Sequence, residues 1–170
     1  SRYSIDDMRK EIFMNNVYLA APFFDEAQKE RIEQVKAALI ANPTINSDGI
    51  FLPQEHQFEE EPFGSRAWQQ YVYASDMRQV HRADLVVALL DFDMTSDTNE
   101  PDSGTMFEIG AAVAEKTPVL VVQFDADKQL NLMIAQGLTA YFDASQNGLH
   151  ELATYNCDAL KSKPAKRPVF

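Results

Sequence analysis

Five short apolar runs, each separated from the next by a stretch of helical periodicity, leave this 170-residue chain few folds to choose from. The runs are Val17–Pro22 (VYLAAP), Gly49–Pro53 (GIFLP), Asp84–Asp91 (DLVVALLD), Pro118–Phe124 (PVLVVQF) and Leu138–Asp143 (LTAYFD). A strand wetted on one face alternates apolar and polar residues. A run apolar at nearly every position, as in three of these, suits a strand covered on both faces of a parallel sheet. Between the first two runs, Asp25–Ala41 puts Ile32, Val35 and Leu39 on one helical face, with Asp25 as a start signal and Asn42-Pro43 as a stop. Ser65 opens a second helix running through Trp68, Val72 and Val80. Gly104–Lys116 is a third, rich in small residues that permit close packing, and 129–136 and 147–156 are shorter candidates. The order βαβαβαβαβ predicts an α/β fold: a doubly wound, five-stranded parallel sheet with helices on both faces and the flavodoxin-like strand order 2-1-3-4-5. Such sheets bind ligands beyond the carboxyl ends of their strands, near the point where strand order reverses.

Residues 17–170 read as a single domain. Residues 1–16 lack the apolar core and small-residue cleavage site of a signal peptide and read as a short helical arm or leader. The formal net charge of -11, from 26 acidic and 15 basic residues, argues against nucleic acid or an anionic membrane as a partner. No stretch approaches the ~20 apolar residues of a membrane span. Cys157 is the one cysteine, so no disulfide can form within the chain, and a reducing cytoplasm is the expected location.

Polar and aromatic residues gather just after the strands: Phe23, Phe24 and Asp25 after the first, Gln54–Gln57 after the second, and the acidic segment Asp91–Glu108 after the third. The first of these turns, AAPFFD, has no glycine to bring backbone amides up to a pyrophosphate, and no GxxxxGK[ST] occurs. No nucleotide cofactor is expected. His56, His81 and His150 are scattered, without ligand spacing. Asp91, Asp93, Asp97 and Asp102 could hold a hard cation, but their spacing matches no EF-hand loop, and a solvated acidic loop is the better reading. No metal is expected either.

Carboxylate chemistry remains. Judged by spacing alone, Thr105-Met106-Phe107-Glu108 is a capping box, which would make Glu108 a cap of its own helix. On the same grounds Asp102 is a turn residue, Asp76 an exposed helical acid and Tyr18 a core aromatic.

Four separated segments alter that balance. YLAAPFFDEAQ, FGSRAWQQYVYASDM, DSGTMFEIGAA and LNLMIAQG, in this order, resemble the nucleoside 2-deoxyribosyltransferases, and the resemblance runs from about Val17 to the C-terminus. It implies a flavodoxin-like fold and exchange of 2-deoxyribose between a deoxynucleoside and a free nucleobase, with retention, through a covalent deoxyribosyl-glutamate. Glu108, in MFEIG, would be the nucleophile, oriented by Tyr18. Asp102 would bind the sugar hydroxyls and Asp76, in YASDM, would be the acid beside the base. Phe23 and Phe24 would wall the base and, with Trp68, exclude water. Gln57 would recognise the base, as in members that use purines and pyrimidines alike.

Asn131 and Met133 would serve a neighbouring subunit's site in a homo-oligomer, a hexamer built as a trimer of dimers, with Asn131 reaching the sugar 5-hydroxyl. The shorter relatives often end in tyrosine, whose terminal carboxylate joins the site; Phe170 keeps the carboxylate without the hydroxyl. The loop Phe92–Pro101 is longer than in the shortest relatives. The alternative enzyme is a hydrolase of deoxynucleosides or their monophosphates using the same nucleophile. A ligand sensor of the same fold is the non-enzymatic alternative.

Overall fold

The computed structural model describes residues 4–95 and 100–170. Five strands form one all-parallel sheet: β1 (Asn15–Ala20), β2 (Ile45–Phe51), β3 (Leu85–Leu89), β4 (Val119–Gln123) and β5 (Ala140–Asp143), in the order β2-β1-β3-β4-β5. This is the expected flavodoxin-like order. Among the described residues six α-helices accompany the strands: α1 (Ile5–Phe13), α2 (Glu26–Ala41), α3 (Arg66–Arg82), α4 (Ser103–Ala114), α5 (Leu132–Gly137) and α6 (Gly148–Thr154).

The two-residue period of the strands sorts their side chains between two cores. Val17, Leu19, Val87, Leu120 and Phe142 face one way, toward Ile32, Val35 and Leu39 of α2 and Leu152 of α6. Tyr18, Ala20, Val86, Ala88, Val119 and Val121 face the other, toward Val80 of α3 and Ile109 and Ala112 of α4. Every residue of β3 and β4 is buried, which explains their unbroken apolar runs.

The helix signals hold. Asp25 caps α2 in a capping box with Gln28, and Ser65 caps α3 by accepting from the Trp68 amide. The edge strand departs from expectation. β2 starts at Ile45, four residues before the apolar run, through the polar stretch Asn46–Asp48. Asn46 is buried there and donates to Asn16 Oδ1 (3.1 Å) beside an irregularity in the β1 pairing, so a side-chain amide replaces the apolar signal. Pro53, which lacks an N–H, ends the strand direction by opening a single 3-10 turn, Pro53–Glu55. α1 leaves Ile5 and Phe13 largely exposed.

The connection from β1 runs through α2 to β2 on one side, and the next crosses through α3 to β3 on the other. The strand order therefore reverses between β1 and β3, and Ala21–Phe24 and Leu90–Phe92 emerge side by side. Gln28 ties them together: its Oε1 accepts from the Phe24 amide (2.7 Å) while its Nε2 donates to the Phe92 carbonyl (3.0 Å).

At the far end, Gly148 packs so tightly that an added Cβ would lie 2.3 Å from the Asp143 carbonyl carbon and oxygen. That obstacle is strand backbone at the end of β5, and it cannot yield as a side chain would. Gly148→Ala should therefore lower the unfolding free energy by about 1–3 kcal/mol in urea titrations, with the slope unchanged.

Candidate active site

The reversal point opens into a cavity of about 630 Å³. β1 supplies Tyr18 and the turn after it Phe23 and Phe24; α3 supplies Tyr73, Asp76 and Met77; and the start of α4 supplies Asp102, Phe107 and Glu108. Three segments far apart in the chain meet here because parallel strands deliver all their carboxyl ends to one edge.

Glu108 sits one turn into α4. Its Oε2 accepts a hydrogen bond from the Tyr18 hydroxyl. Tyr18 has 0% of its surface exposed, so its ring is fixed in the sheet and its hydroxyl is aimed from below. The helix is capped by another residue, Asp102, whose Oδ2 accepts from the Thr105 amide and hydroxyl, both at 2.9 Å. The capping-box pattern in the sequence thus misplaces the helix start by three residues, and α4 begins at Ser103 rather than Gly104. With Asp102 capping the helix, Glu108 is left to face Tyr18 and the cavity.

Burial drives the electrostatics. Desolvation pushes the Glu108 carboxyl up to about 7, with Asp76 and Asp102 adding to the rise and the Tyr18 hydrogen bond pulling the other way. Asp76, expected as an exposed acid when read by spacing alone, lines the cavity and is pushed up to about 6 by desolvation, against an attraction to His56. Burial, together with Glu108, holds the Tyr18 phenol far above its ordinary range, so it stays a donor. Two carboxyls whose charges oppose one another share this crevice. Near neutrality the two hold about one proton between them as a coupled pair, with Glu108 the more basic partner even against the Tyr18 hydrogen bond.

Phe23 and Phe24 stack at 5.4 Å along the cavity wall. Tyr73 and Phe107, 6.2 Å apart, close the opposite side. Neither was singled out in the sequence, although Tyr73 lies one turn before Asp76 and Met77 and so shares their face of α3.

Several expected residues lie elsewhere. Gln57 is exposed and lines a separate cavity with Phe58, Glu59 and Tyr71. Trp68 packs on Phe63 (4.5 Å), away from Glu108. Asn131 caps α5 by accepting from the Met133 amide (2.9 Å). Leu130 and Leu132 exchange backbone hydrogen bonds with Phe170. Asn131, Met133 and Phe170 therefore form one tip of the chain, outside its own cavity, with Met133 73% exposed.

The acidic loop is not simply solvated. Asp91 is buried and accepts from the Phe124 (2.7 Å) and Asp125 (2.9 Å) amides, fastening the end of β3 to that of β4. Asp93 accepts from the Thr95 amide and hydroxyl, and Asp97 lies outside the described residues. Among the described residues no cluster of three or more His, Cys, Asp or Glu is placed to hold a metal ion, and no helix is long and apolar enough to cross a membrane.

A family model described as nucleoside 2-deoxyribosyltransferase matches residues 17–151. The chain belongs to the nucleoside 2-deoxyribosyltransferase family. It is 34% identical over 160 residues to the nucleoside deoxyribosyltransferase of Limosilactobacillus fermentum, covering 87% of this chain and 89% of the relative. The nucleoside deoxyribosyltransferase of Lactobacillus leichmannii is 27% identical, with 69% of this chain and 76% of that relative covered. A solved 2-deoxyribosyltransferase from the psychrotolerant bacterium Bacillus psychrosaccharolyticus superposes with a TM-score of 0.73 at 29% identity, covering 88% of this chain and 98% of the other. This member of the nucleoside 2-deoxyribosyltransferase family is thus an enzyme of the transferase class, and the relatives favour transfer over the hydrolase alternative.

A carboxyl raised by folding binds its proton more tightly in the folded than in the unfolded chain. The stability it adds is fully present below its ordinary value of 4.5 and is lost as pH rises through about 7. Glu108→Gln should therefore gain roughly 2 kcal/mol on the wild type between pH 5 and pH 8, read from denaturant midpoints across that range.

Proposed function

We propose that this enzyme moves 2-deoxyribose between nucleobases, with Glu108 as nucleophile and Asp76 as the acid and base beside the nucleobase. The observation that carries the reading is the Tyr18 hydrogen bond to Glu108 inside the cavity. It aims a desolvated carboxylate oxygen into a space sized for a nucleoside.

In the first half-reaction an oxygen of ionised Glu108 attacks C1 of the sugar as the C1–N bond breaks. The bonding electrons leave with the base, and the proton on Asp76 goes to a base nitrogen. The sugar is then an ester of Glu108. In the second, a nitrogen of the incoming base attacks C1, the C1–O bond returns its electrons to Glu108, and a proton from that base returns to Asp76. Two inversions retain the configuration. The carboxyls must hold opposite protonation states: the reading requires the reactive complex to carry the pair's proton on Asp76 and leave Glu108 ionised, the state of Glu108 that the Tyr18 hydrogen bond favours. Deoxyribose suits this route because no electron-withdrawing 2-hydroxyl disfavours the oxocarbenium-like centre.

Asp102 is the group for the sugar hydroxyls, with its Oδ2 held by Thr105. Phe23 and Phe24 are the stacking wall for the base, and exclusion of water by these rings favours transfer over hydrolysis. Asn131, Met133 and Phe170 serve the cavity of a neighbouring copy in a homo-oligomer, a hexamer assembled as a trimer of dimers. Their grouping on one exposed apolar tip supports this role. Gln57 recognises the base and fits use of both purines and pyrimidines. We assign one catalytic domain that takes in the expected 17–170 together with Asn15 and Asn16 of β1, leaving the rest of the expected arm 1–16 ahead of it, and place the enzyme in cytoplasmic nucleotide salvage without metal or cofactor.

Glu108→Ala should lower exchange by at least ~10³-fold while the circular-dichroism melt stays cooperative. A deoxynucleoside incubated with and without a second free base, followed by chromatography, reads both activities: new nucleoside reports transfer and free sugar reports hydrolysis. Near wild-type exchange in a folded Glu108→Ala protein would remove Glu108 as the nucleophile.

A further inference from the structure

The last residues of the chain run along the free edge of β5, outside the chain's own cavity, and are fastened there at three points. Lys163 lies against β5: its amide donates to the Thr139 carbonyl (3.0 Å), and its carbonyl accepts from the Tyr141 amide (2.8 Å). Further on, the Leu130 amide donates to the Pro168 carbonyl (3.0 Å) and the Phe170 amide donates to the Leu130 carbonyl (3.1 Å). Between these attachments sits Arg167, half-buried, with a guanidinium that reaches three oxygens. Its Nη1 donates to the Tyr141 hydroxyl of β5 (2.9 Å). Its Nη2 donates to the Ala126 carbonyl and to the Lys128 carbonyl (2.9 Å), both in the loop between β4 and α5. The Tyr141 hydroxyl carries the tie on to β4 by donating to Oε1 of the buried Gln123 (2.7 Å).

That loop leads to Asn131. Asp91 holds its first amides, those of Phe124 and Asp125. Beyond it, α5 has six residues, too few to keep a position without outside contacts. The place of Asn131 and Met133 therefore depends on what fixes residues 126–130. A guanidinium suits that task. Its planar fork takes the carbonyls of Ala126 and Lys128 together and so sets the direction of the chain between them, which a single ammonium does not do.

We propose that Arg167 is a positioning residue for transfer: by clamping 126–128 to β5 it sets where Asn131 stands, and so governs how the sugar 5-hydroxyl is held in a neighbouring copy's cavity. The inference rests on the reading of Asn131 as that hydroxyl's partner. Asn131 Oδ1 accepts from the Met133 amide, which fixes the side chain relative to α5 and makes Nδ2 the atom that donates to a hydroxyl. Such a bond tolerates a displacement of only about 0.5 Å, so a tip that serves another chain must be held by its own. An arginine that only stabilised the fold would affect every sugar donor alike. One that positions Asn131 affects donors that carry the hydroxyl.

The test compares deoxyadenosine with its 5-deoxy analogue, which lacks only that hydroxyl, as donors to free hypoxanthine. Full-length wild type, Arg167→Met, Arg167→Lys and Asn131→Ala are assayed with both. Methionine keeps the stem without the fork; lysine keeps the charge on one donor group, and it decides the matter if the methionine variant does not fold. Arg167→Met should lower kcat/KM for deoxyadenosine on the order of tenfold, chiefly through KM, and leave the analogue near its wild-type value. Lysine should recover part of the loss. Hydrogen–deuterium exchange gives a second reading: the Leu130 and Leu132 amides should exchange faster in Arg167→Met, with β3 and β4 unchanged. Equal losses on both donors, or unmoved Leu130 and Leu132 amides in the folded variants, would overturn the proposal. If Asn131→Ala separates the two donors as fully as wild type does, the reading of Asn131 falls and takes the hydroxyl's part of the proposal with it. The deuterium measurement then still decides whether Arg167 holds the tip.

Discussion

A single hydrogen bond joins the sheet to the proposed nucleophile: the Tyr18 hydroxyl, from a ring wholly buried in β1, donates to Glu108 on the first turns of α4. The cavity desolvates the carboxyl and raises its affinity for a proton, so an isolated Glu108 would hold its proton at neutral pH. The tyrosine supplies the counter-pull. The donor must also be rigid, because a hydroxyl on a mobile loop would lose the bond as readily as water would replace it. β1 provides that rigidity as a central strand, paired on both sides by β2 and β3 and covered on both faces.

The surrounding structure keeps this pair in register. Asp102 caps α4 and so relieves Glu108 of that task. Gln28 completes the capping box that Asp25 opens on α2 and also bridges the turn after β1 to the loop after β3, fixing the stacked Phe23 and Phe24 at the cavity wall. Asp91 clamps the ends of β3 and β4 through two backbone amides. Each is a polar side chain satisfied by backbone groups at a strand or helix end, and together they convert a generic reversal point into one particular cavity.

The sheet was legible because its signal is strong: β3 and β4 are buried on both faces and read as unbroken apolar runs. The start of β2 was hidden, since Asn46 is buried through a side-chain hydrogen bond that leaves no trace in hydropathy. The site was only partly legible from spacing. Thr105 and Glu108 match a capping box, and nothing local reveals that Asp102 takes the cap, because that depends on where the loop joins the helix. Motif resemblance pointed to Glu108 and Tyr18 where periodicity pointed away. Tyr73 and Phe107 could have been found by extending the Asp76 face of α3 and asking what lies across from it. The partners of Arg167 could not, since carbonyls and a hydroxyl gathered on one side chain from a distant loop and strand are a three-dimensional fact.

The central claim is that the Glu108 carboxylate bonds covalently to the anomeric carbon, and the most direct measurement is to catch that bond. Incubating the enzyme with a 2-fluorinated deoxynucleoside, which slows the second step more than trapping requires, and mapping the adduct by peptide mass spectrometry locates the sugar. The account predicts one sugar per chain, on the peptide containing Glu108, released when a free base is added. A sugar carried on another side chain, or active exchange with no adduct under conditions that trap the intermediate, would contradict it.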